Sequence, residues 1–271
     1  MCIMVNMRNF TTLGIGGEAV AKIIEVPTDV PSLCHDAFVL GRGSNILVSD
    51  SGIRSLVAIN RMDGIKINGE VVSVFSGTNL SVLARELAHL GLSGLEWAYK
   101  LPASVGGALK MNAGAFGGQM SDNVISVTVY RNGEFITLDA TQCRFGYRSS
   151  AFTDTDFIIK CDLRLQKSTK KKCVLRLVQS SCARKKQPKG KSAGCIYKTL
   201  DKSAGWYIEQ AGLKGKRSGD IIVSPIHAGF FINEGRGSAK QMLSLMDYVE
   251  KAVQDKFGVT LEREIKLVGE F

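Results

Sequence analysis

The sequence predicts an α+β chain in two parts: a β-rich, glycine-rich stretch of about 165 residues, then a smaller α+β part of about 105. Three observations predict it. Short β-branched or apolar runs bounded by Gly, Pro and Asp fill the first part, two of them joined by Asn-Gly turns. The longest helical periodicity lies far downstream, near 239–257. Between the parts, the charge run Lys167–Lys172 reads as an exposed connector.

Strands are expected at 20–26, 38–40, 46–48 and 56–59. Asn68-Gly69 joins 65–67 to 71–75, and Asn132-Gly133 joins 124–130 to 134–138, because both residues tolerate positive φ. Residues 157–165 alternate apolar and polar as a half-buried strand does. Leu83, Leu87 and Leu90 recur at helical spacing over 80–90, and Gly91 stands where a left-handed cap belongs. In the second part Leu175, Val178 and Cys182 mark one face of a helix ended by Pro188. Met242, Leu245, Met246, Val249, Val253 and Phe257 form the stripe of the last helix, with Ser238 as cap and Gly258 as terminator. Residues 261–268 read as a final strand.

A chain of 271 residues with 45% hydrophobic and 22% charged residues is ordinary for a soluble protein. It shows no apolar run of membrane-span length and no signal-peptide core, so the cytoplasm is the expected location and no membrane partner is expected. Seven cysteines without a C-x-x-C pair, and three histidines without ligand spacing, give no reason to expect disulfides or a metal. The net charge of +10 is concentrated: residues 163–200 hold twelve basic residues and no acid. Such a field favours an anion. A solvated lysine face explains most of it, a phosphate-bearing small molecule could use part, and nucleic acid is not expected because aromatic interleaving and known motifs are lacking.

Two loops stand out. One is Gly41-Arg42-Gly43-Ser44-Asn45, the other is 102–118, where nine of seventeen residues are Gly or Ala. A backbone without side chains can turn several N–H groups onto one anion, as pyrophosphate sites do, and it equally suits tight turns and close crossings. The Rossmann fingerprint fails because Ile46 and Ala19 occupy its third glycine, and the Walker loop fails because Lys185 occupies its first.

Eight motifs in order then resemble one family. They are Gly41-Arg42-Gly43-Ser44-Asn45-Ile46-Leu47-Val48-Ser49-Asp50, Ala103-Ser104-Val105-Gly106-Gly107-Ala108, Asn112-Ala113-Gly114-Ala115-Phe116-Gly117 and Gly146-Tyr147-Arg148-Ser149. Downstream come Ser192-Ala193-Gly194-Cys195, Gly212-Leu213-Lys214-Gly215, His227-Ala228-Gly229-Phe230-Phe231-Ile232-Asn233 and Leu261-Glu262-Arg263-Glu264-Ile265. Together they resemble the UDP-N-acetylenolpyruvoylglucosamine reductases of peptidoglycan precursor synthesis, in the shorter class that lacks an inserted substrate loop. The resemblance implies a two-subdomain FAD-binding fold of the vanillyl-alcohol-oxidase type (1–55 and 56–166) followed by a smaller α+β substrate-binding domain (167–271). It implies non-covalent FAD, NADPH as reductant, a UDP-sugar substrate, and a monomer as the favoured state.

It also implies roles. Arg148 would hold the substrate carboxylate, Glu264 would stabilise its enolic form, and Cys195 would deliver a proton. Gly41, Arg42, Gly43, Ser44, Asn45, Ser104, Val105, Gly106, Gly107, Ala108, Asn112, Ala113, Gly114 and Ala115 would bind FAD, with the amides of 104–108 and 113–115 around the pyrophosphate. Tyr147 and Lys198 would contact substrate. Cys195 stands where a serine is commoner; a thiol, with an unperturbed pKa of about 8.5, is still protonated at neutral pH and is the stronger acid. Thr199-Leu200 and Lys100-Leu101-Pro102-Ala103 also depart from the family's usual Asn-Pro and Gly-Ile-Pro-Gly. Read without the resemblance, Arg148 is a surface turn residue, Glu264 part of a solvated face, and Cys195 a small hydrophobe. The rival readings are a flavin oxidase, a colourless thiol hydrolase or transferase using Cys195 with His227, and a basic nucleic-acid binder.

Overall fold

A computed structural model describes all 271 residues. The chain divides into two compact units that interleave in sequence. The first comprises 1–2, 21–42 and 55–186, the second 3–20, 43–54 and 187–271.

In the first unit an antiparallel five-stranded sheet runs in the order Glu134–Asp139, Val124–Arg131, Phe157–Arg164, Val71–Phe75, Ile65–Asn68. Both Asn-Gly turns close hairpins as the sequence requires, with Asn132 and Gly133 at φ +52 and +88. Helix α1 (Leu80–His89) is capped by Asn79, whose side chain accepts from the Ser81 and Val82 amides, and Gly91 leaves it at φ +76. Its buried face (Leu80, Leu83, Ala84, Leu87) packs with Val72, Val74, Val127, Val129 and Leu163 of the sheet into one core. A short helix α2 (Val105–Lys110) follows the Ser104 cap. Separately, Phe38–Leu40 pairs in parallel with the strand Ile53–Asn60 through Val57, Ala58 and Ile59.

Helix α3 (Lys170–Lys185) corrects two expectations. Of the run Lys167–Lys172, Lys170–Lys172 start this helix, capped by Thr169, and Lys167 ends a short strand paired with Leu92–Ser93, so only 168–169 connect. The face that carries Leu175, Val178 and Cys182 points to solvent, while Cys173, Leu177 and Ser180 are buried. Apolar periodicity marks the outer side here because the buried side is interrupted by a serine and ends in an arginine.

In the second unit, a short helix α4 (Ala204–Gln210), which sequence periodicity does not reveal, precedes α5 (Ala239–Phe257). The latter is the predicted long helix: Ser238 and Gln241 form a reciprocal cap, and Gly258 ends it at φ +68. Its stripe joins Leu13, Ile15, Leu47, Ile196, Tyr197, Phe231 and Ile265 in a second core, to which α4 adds Ala204, Tyr207 and Ile208. Strands Arg217–Ser218, Ile221–Val223 and Phe231–Asn233 form a small antiparallel sheet. Of the final strand expected at 261–268, only Lys266–Val268 is one; it pairs in parallel with Ile46–Val48. The strand expected at 20–26 is Glu18–Ile24.

Candidate active site

The sequence-predicted residues fall into two groups, one in each unit. In the first unit, the backbone at Gly41 lies so close to Ser104 that a Cβ there would stand 2.4 Å from its Oγ. Gly106 lies similarly close to Ser76, where a Cβ would meet another Cβ at 2.9 Å. The two glycine-rich stretches thus meet, and they do so through main chain and hydroxyls. Most of the α2 amides are already used: Val105 N donates to Thr78 O, Gly106 N to Ser76 O, Ala108 N to Ser104 O and Ala113 N to Ala108 O. The Gly107 amide makes only a long contact (3.3 Å) to Ser104 Oγ, and Gly107 is exposed. A ligand at this segment would meet the hydroxyl and Gly107 rather than the whole row of amides expected.

No motif singles out Arg61. Its guanidinium is made less basic than usual by burial and by the charge of Arg42 beside it. Neither arginine forms an ion pair with a carboxylate, so the positive charge of Arg42 acts on Arg61 uncompensated, an arrangement that an anion relieves. Close-approach glycines, a hydroxyl and this pair of cations together fit a diphosphate-bearing flavin.

Asn112 is buried and holds the second loop in place: Nδ2 donates to Gly146 O and Oδ1 accepts from the Ser121 amide. Gly114–Ala115 and Gly118–Gln119 form a small hairpin turned at Phe116 and Gly117, both at positive φ. Tyr147 and Arg148 occupy the tip of a tight turn closed by Gly146 N to Ser149 O. Arg148 sits at φ +54, which costs a non-glycine residue about 1–2 kcal/mol, and its Nη2 donates to Gly114 O at 2.9 Å. The guanidinium also lies 5.1 Å from the Tyr147 ring centroid, while Tyr147 itself is half exposed. Arg148 is therefore braced against the 113–115 loop.

In the second unit, Gly43 is required by its own neighbourhood: φ is +59, and a Cβ would stand 2.0 Å from Phe10 O. Asn45 has a role no motif specifies. Its Nδ2 donates to Glu264 O at 3.0 Å, and its carbonyl accepts from the Lys266 amide. Glu264 in turn donates its amide to Ile196 O at 2.8 Å, next to Cys195. Cys195, exposed, bridges to Phe230, and Ile196 N donates to Gly229 O. A side chain on Gly229 would lie 3.3 Å from Cys195 Sγ and 3.0 Å from His227 Cε1, so the glycine leaves room for both. His227 Nδ1 accepts the Gly229 amide. Main-chain pairing thus brings Asn45, Cys195 and Glu264 together from three distant stretches.

Lys198 is paired with Glu262, a partner that a substrate phosphate would have to displace or share. Arg263, which no motif marks for a role, locks this segment to α5: Nε and Nη2 bind both oxygens of Glu250 and Nη2 also binds Asp247, which raises its already high pKa further.

Residues 29–139 match a family model described as an FAD binding domain. Residues 186–268 match the model described as UDP-N-acetylenolpyruvoylglucosamine reductase, C-terminal domain. The chain is 37% identical over 267 residues to the UDP-N-acetylenolpyruvoylglucosamine reductase of Thermus thermophilus, covering 96% of this chain and 97% of that one. To the reductase of Clostridium novyi it is 38% identical over 278 residues, covering 97% and 91%. The crystal structure of the reductase from Thermus caldophilus superimposes with a TM-score of 0.89 at 36% identity, covering 99% of each chain. On this likeness along its whole length, the chain belongs to the UDP-N-acetylenolpyruvoylglucosamine reductase family.

Proposed function

We propose that this protein reduces the enolpyruvyl ether of UDP-N-acetylenolpyruvoylglucosamine to UDP-N-acetylmuramate, using FAD and electrons from NADPH. The observation that carries the reading is the juxtaposition of Cys195 and Glu264 through the Ile196 carbonyl, with Asn45 of the first glycine-rich motif hydrogen-bonded to the same glutamate's main chain.

FAD, when bound, would supply two-electron carrier chemistry between the nicotinamide and the substrate. The chain's residues do the rest. An enol ether is electron-rich and resists hydride, so charge must move into the neighbouring carboxylate as the terminal carbon accepts it. Arg148, with a planar fork already oriented by Gly114 O, grips that carboxylate. Glu264, as the carboxylic acid, donates a hydrogen bond to the same enolic group as charge develops. Cys195 Sγ–H then gives its proton to the adjacent carbon, completing addition of one hydride and one proton across the double bond. The thiolate regains its proton from solvent, to which Cys195 is exposed.

In this reading the segments 41–45, 104–108 and 112–115 line the cofactor, with Gly43 shaping its loop and the Ser104 hydroxyl and Gly107 nearest the diphosphate; Tyr147 and Lys198 contact the substrate. By task, 1–55 and 56–166 serve the flavin and 167–271 the substrate. The test is colour. Pure protein should be yellow, NADPH should bleach it under anaerobic conditions, and UDP-N-acetylenolpyruvoylglucosamine should restore the colour stoichiometrically. A colourless protein that binds no added FAD, or a bleached one that the substrate leaves bleached, overturns the proposal.

A further inference from the structure

The C-terminal end of α3 carries a cation that no motif explains. Arg184 is partly buried, and burial makes its guanidinium less basic than usual, yet it pairs with no carboxylate. Its Nε donates to Tyr99 O at 2.8 Å and its Nη2 to Trp97 O at 2.9 Å, so the fork clamps the 3-10 turn Glu96–Ala98. Its carbon centre also lies 4.9 Å from the ring centroid of Phe116, the residue at the tip of the 114–119 hairpin. The hairpin lies directly on this turn: a Cβ on Gly118 would stand 2.4 Å from Trp97 Cδ1. The indole does not hold it by a hydrogen bond, because the buried Trp97 Nε1–H has no acceptor. The same hairpin gives Gly114 O to Arg148.

The geometry points to Arg184 as a positioning residue: by stacking on Phe116 while tied to the Trp97 and Tyr99 carbonyls, it fixes the 114–119 hairpin against Trp97, and so sets both the flavin-facing loop 113–115 and the head group of Arg148. A guanidinium suits this place because it can bind two carbonyls in plane and offer a face to a ring at once, which an ammonium cannot. Leaving a half-buried cation with neutral partners only is costly, and the contacts to carbonyls and ring are what offset it.

The inference rests on the FAD reading, and the experiment separates the two. Apoprotein is titrated with FAD, following flavin fluorescence, in wild type and in Arg184→Met, Arg184→Lys and Phe116→Leu. The Trp206→Phe background leaves Trp97 as the only tryptophan, and its emission reports the hairpin. We expect Arg184→Met to raise the FAD Kd about tenfold, Phe116→Leu to raise it by about threefold, and Arg184→Lys to fall between wild type and the methionine variant. Combining Arg184→Met with Phe116→Leu should add little to the change from Arg184→Met alone, since both remove one contact. Trp97 emission should shift in both single variants, and the substrate KM should rise while flavin reduction by NADPH keeps its rate. A lowered apoprotein melting temperature with FAD Kd and Trp97 emission unchanged would show a merely structural arginine and overturn the inference. If Arg184→Met does not fold, Phe116→Leu decides, because Phe116 is 49% exposed and outside both cores. Wild-type apoprotein that binds no FAD would instead refute the function proposed above.

Discussion

The two groups of candidate residues, one in each unit, are built on opposite plans. In the first unit the chain offers backbone: close-approach glycines at 41 and 106, a capped short helix, and a hairpin held by Asn112 and Arg148. In the second it offers side chains, with Cys195 and Glu264 displayed from segments that pair through isolated bridges and single amide bonds. Each plan has its own weakness. A surface made of main chain fails when a Cβ is added, whereas a surface made of reactive groups fails when one atom is changed and the frame is untouched.

Glu264→Gln puts that contrast under the greatest load. We expect kcat to fall by about 10³-fold with FAD content unchanged, since only the group that meets developing charge is altered; loss of flavin from this variant would show that the halves are not separable. Cys195→Ala should cost roughly 10²–10³-fold, confined to reoxidation of the reduced flavin by substrate, and Cys195→Ser should keep measurable activity. Stopped-flow absorbance reads the two half-reactions apart, and normal turnover by the alanine variant would remove Cys195 from the mechanism.

Next in size is a pair of glycines two residues apart. Gly43→Ala should destabilise the protein by about 3 kcal/mol or more, because φ is +59 and the added carbon meets the Phe10 carbonyl. Gly41→Ala meets only a hydroxyl that can rotate away, so its melting temperature should stay near wild type while FAD binds a few-fold more weakly. Equal loss of stability in both would erase the distinction between a folding glycine and a ligand glycine.

The smallest effect concerns acid. Burial alone would raise the Asp156 carboxyl, but bidentate bonds from Arg131, the Thr153 amide and the arginine's charge bring it below the ordinary carboxylate range. A depressed folded pKa means the contribution is complete above the unfolded value of about 3.9 and is lost as pH falls through the lower folded value. Urea melts should therefore show Asp156→Asn destabilised at neutral pH, with the gap to wild type closing only below about pH 4. A gap that closes near neutrality would assign the effect to another group.

Much of this is legible in the sequence, for identifiable reasons. Both Asn-Gly hairpins, α1 with its Gly91 exit and α5 with its two caps rest on local chemistry, and local chemistry is written in adjacent residues. Arg148, Cys195 and Glu264 are proposed as site residues only through eight motifs in register; each alone reads as turn, core or solvated face. What stays hidden depends on long-range contact. The outward stripe of α3, the effect of the Arg42 charge on Arg61, the tether from Asn45 to Glu264 and the Arg263 lock depend on residues that are not sequence neighbours. The strand expected over 261–268 is short because 262–264 meets 196–198 only through an isolated bridge and single amide bonds, whereas 266–268 forms a ladder.

That last pairing also governs how the molecule is made. Strand Ile46–Val48 follows the Gly43–Asn45 loop directly, yet its partner is Lys266–Val268. Residues 266–268 must therefore be synthesised before this strand can be completed, and the Asn45 side chain waits equally long for Glu264. The first unit holds most of its own partners within 55–186 and can condense during synthesis. The second can join 3–20 to 43–54 early, but these wait through some 130 intervening residues for 187–271, an entropic delay characteristic of distant contacts. Removing the final few residues would strike the beginning of the chain as much as its end.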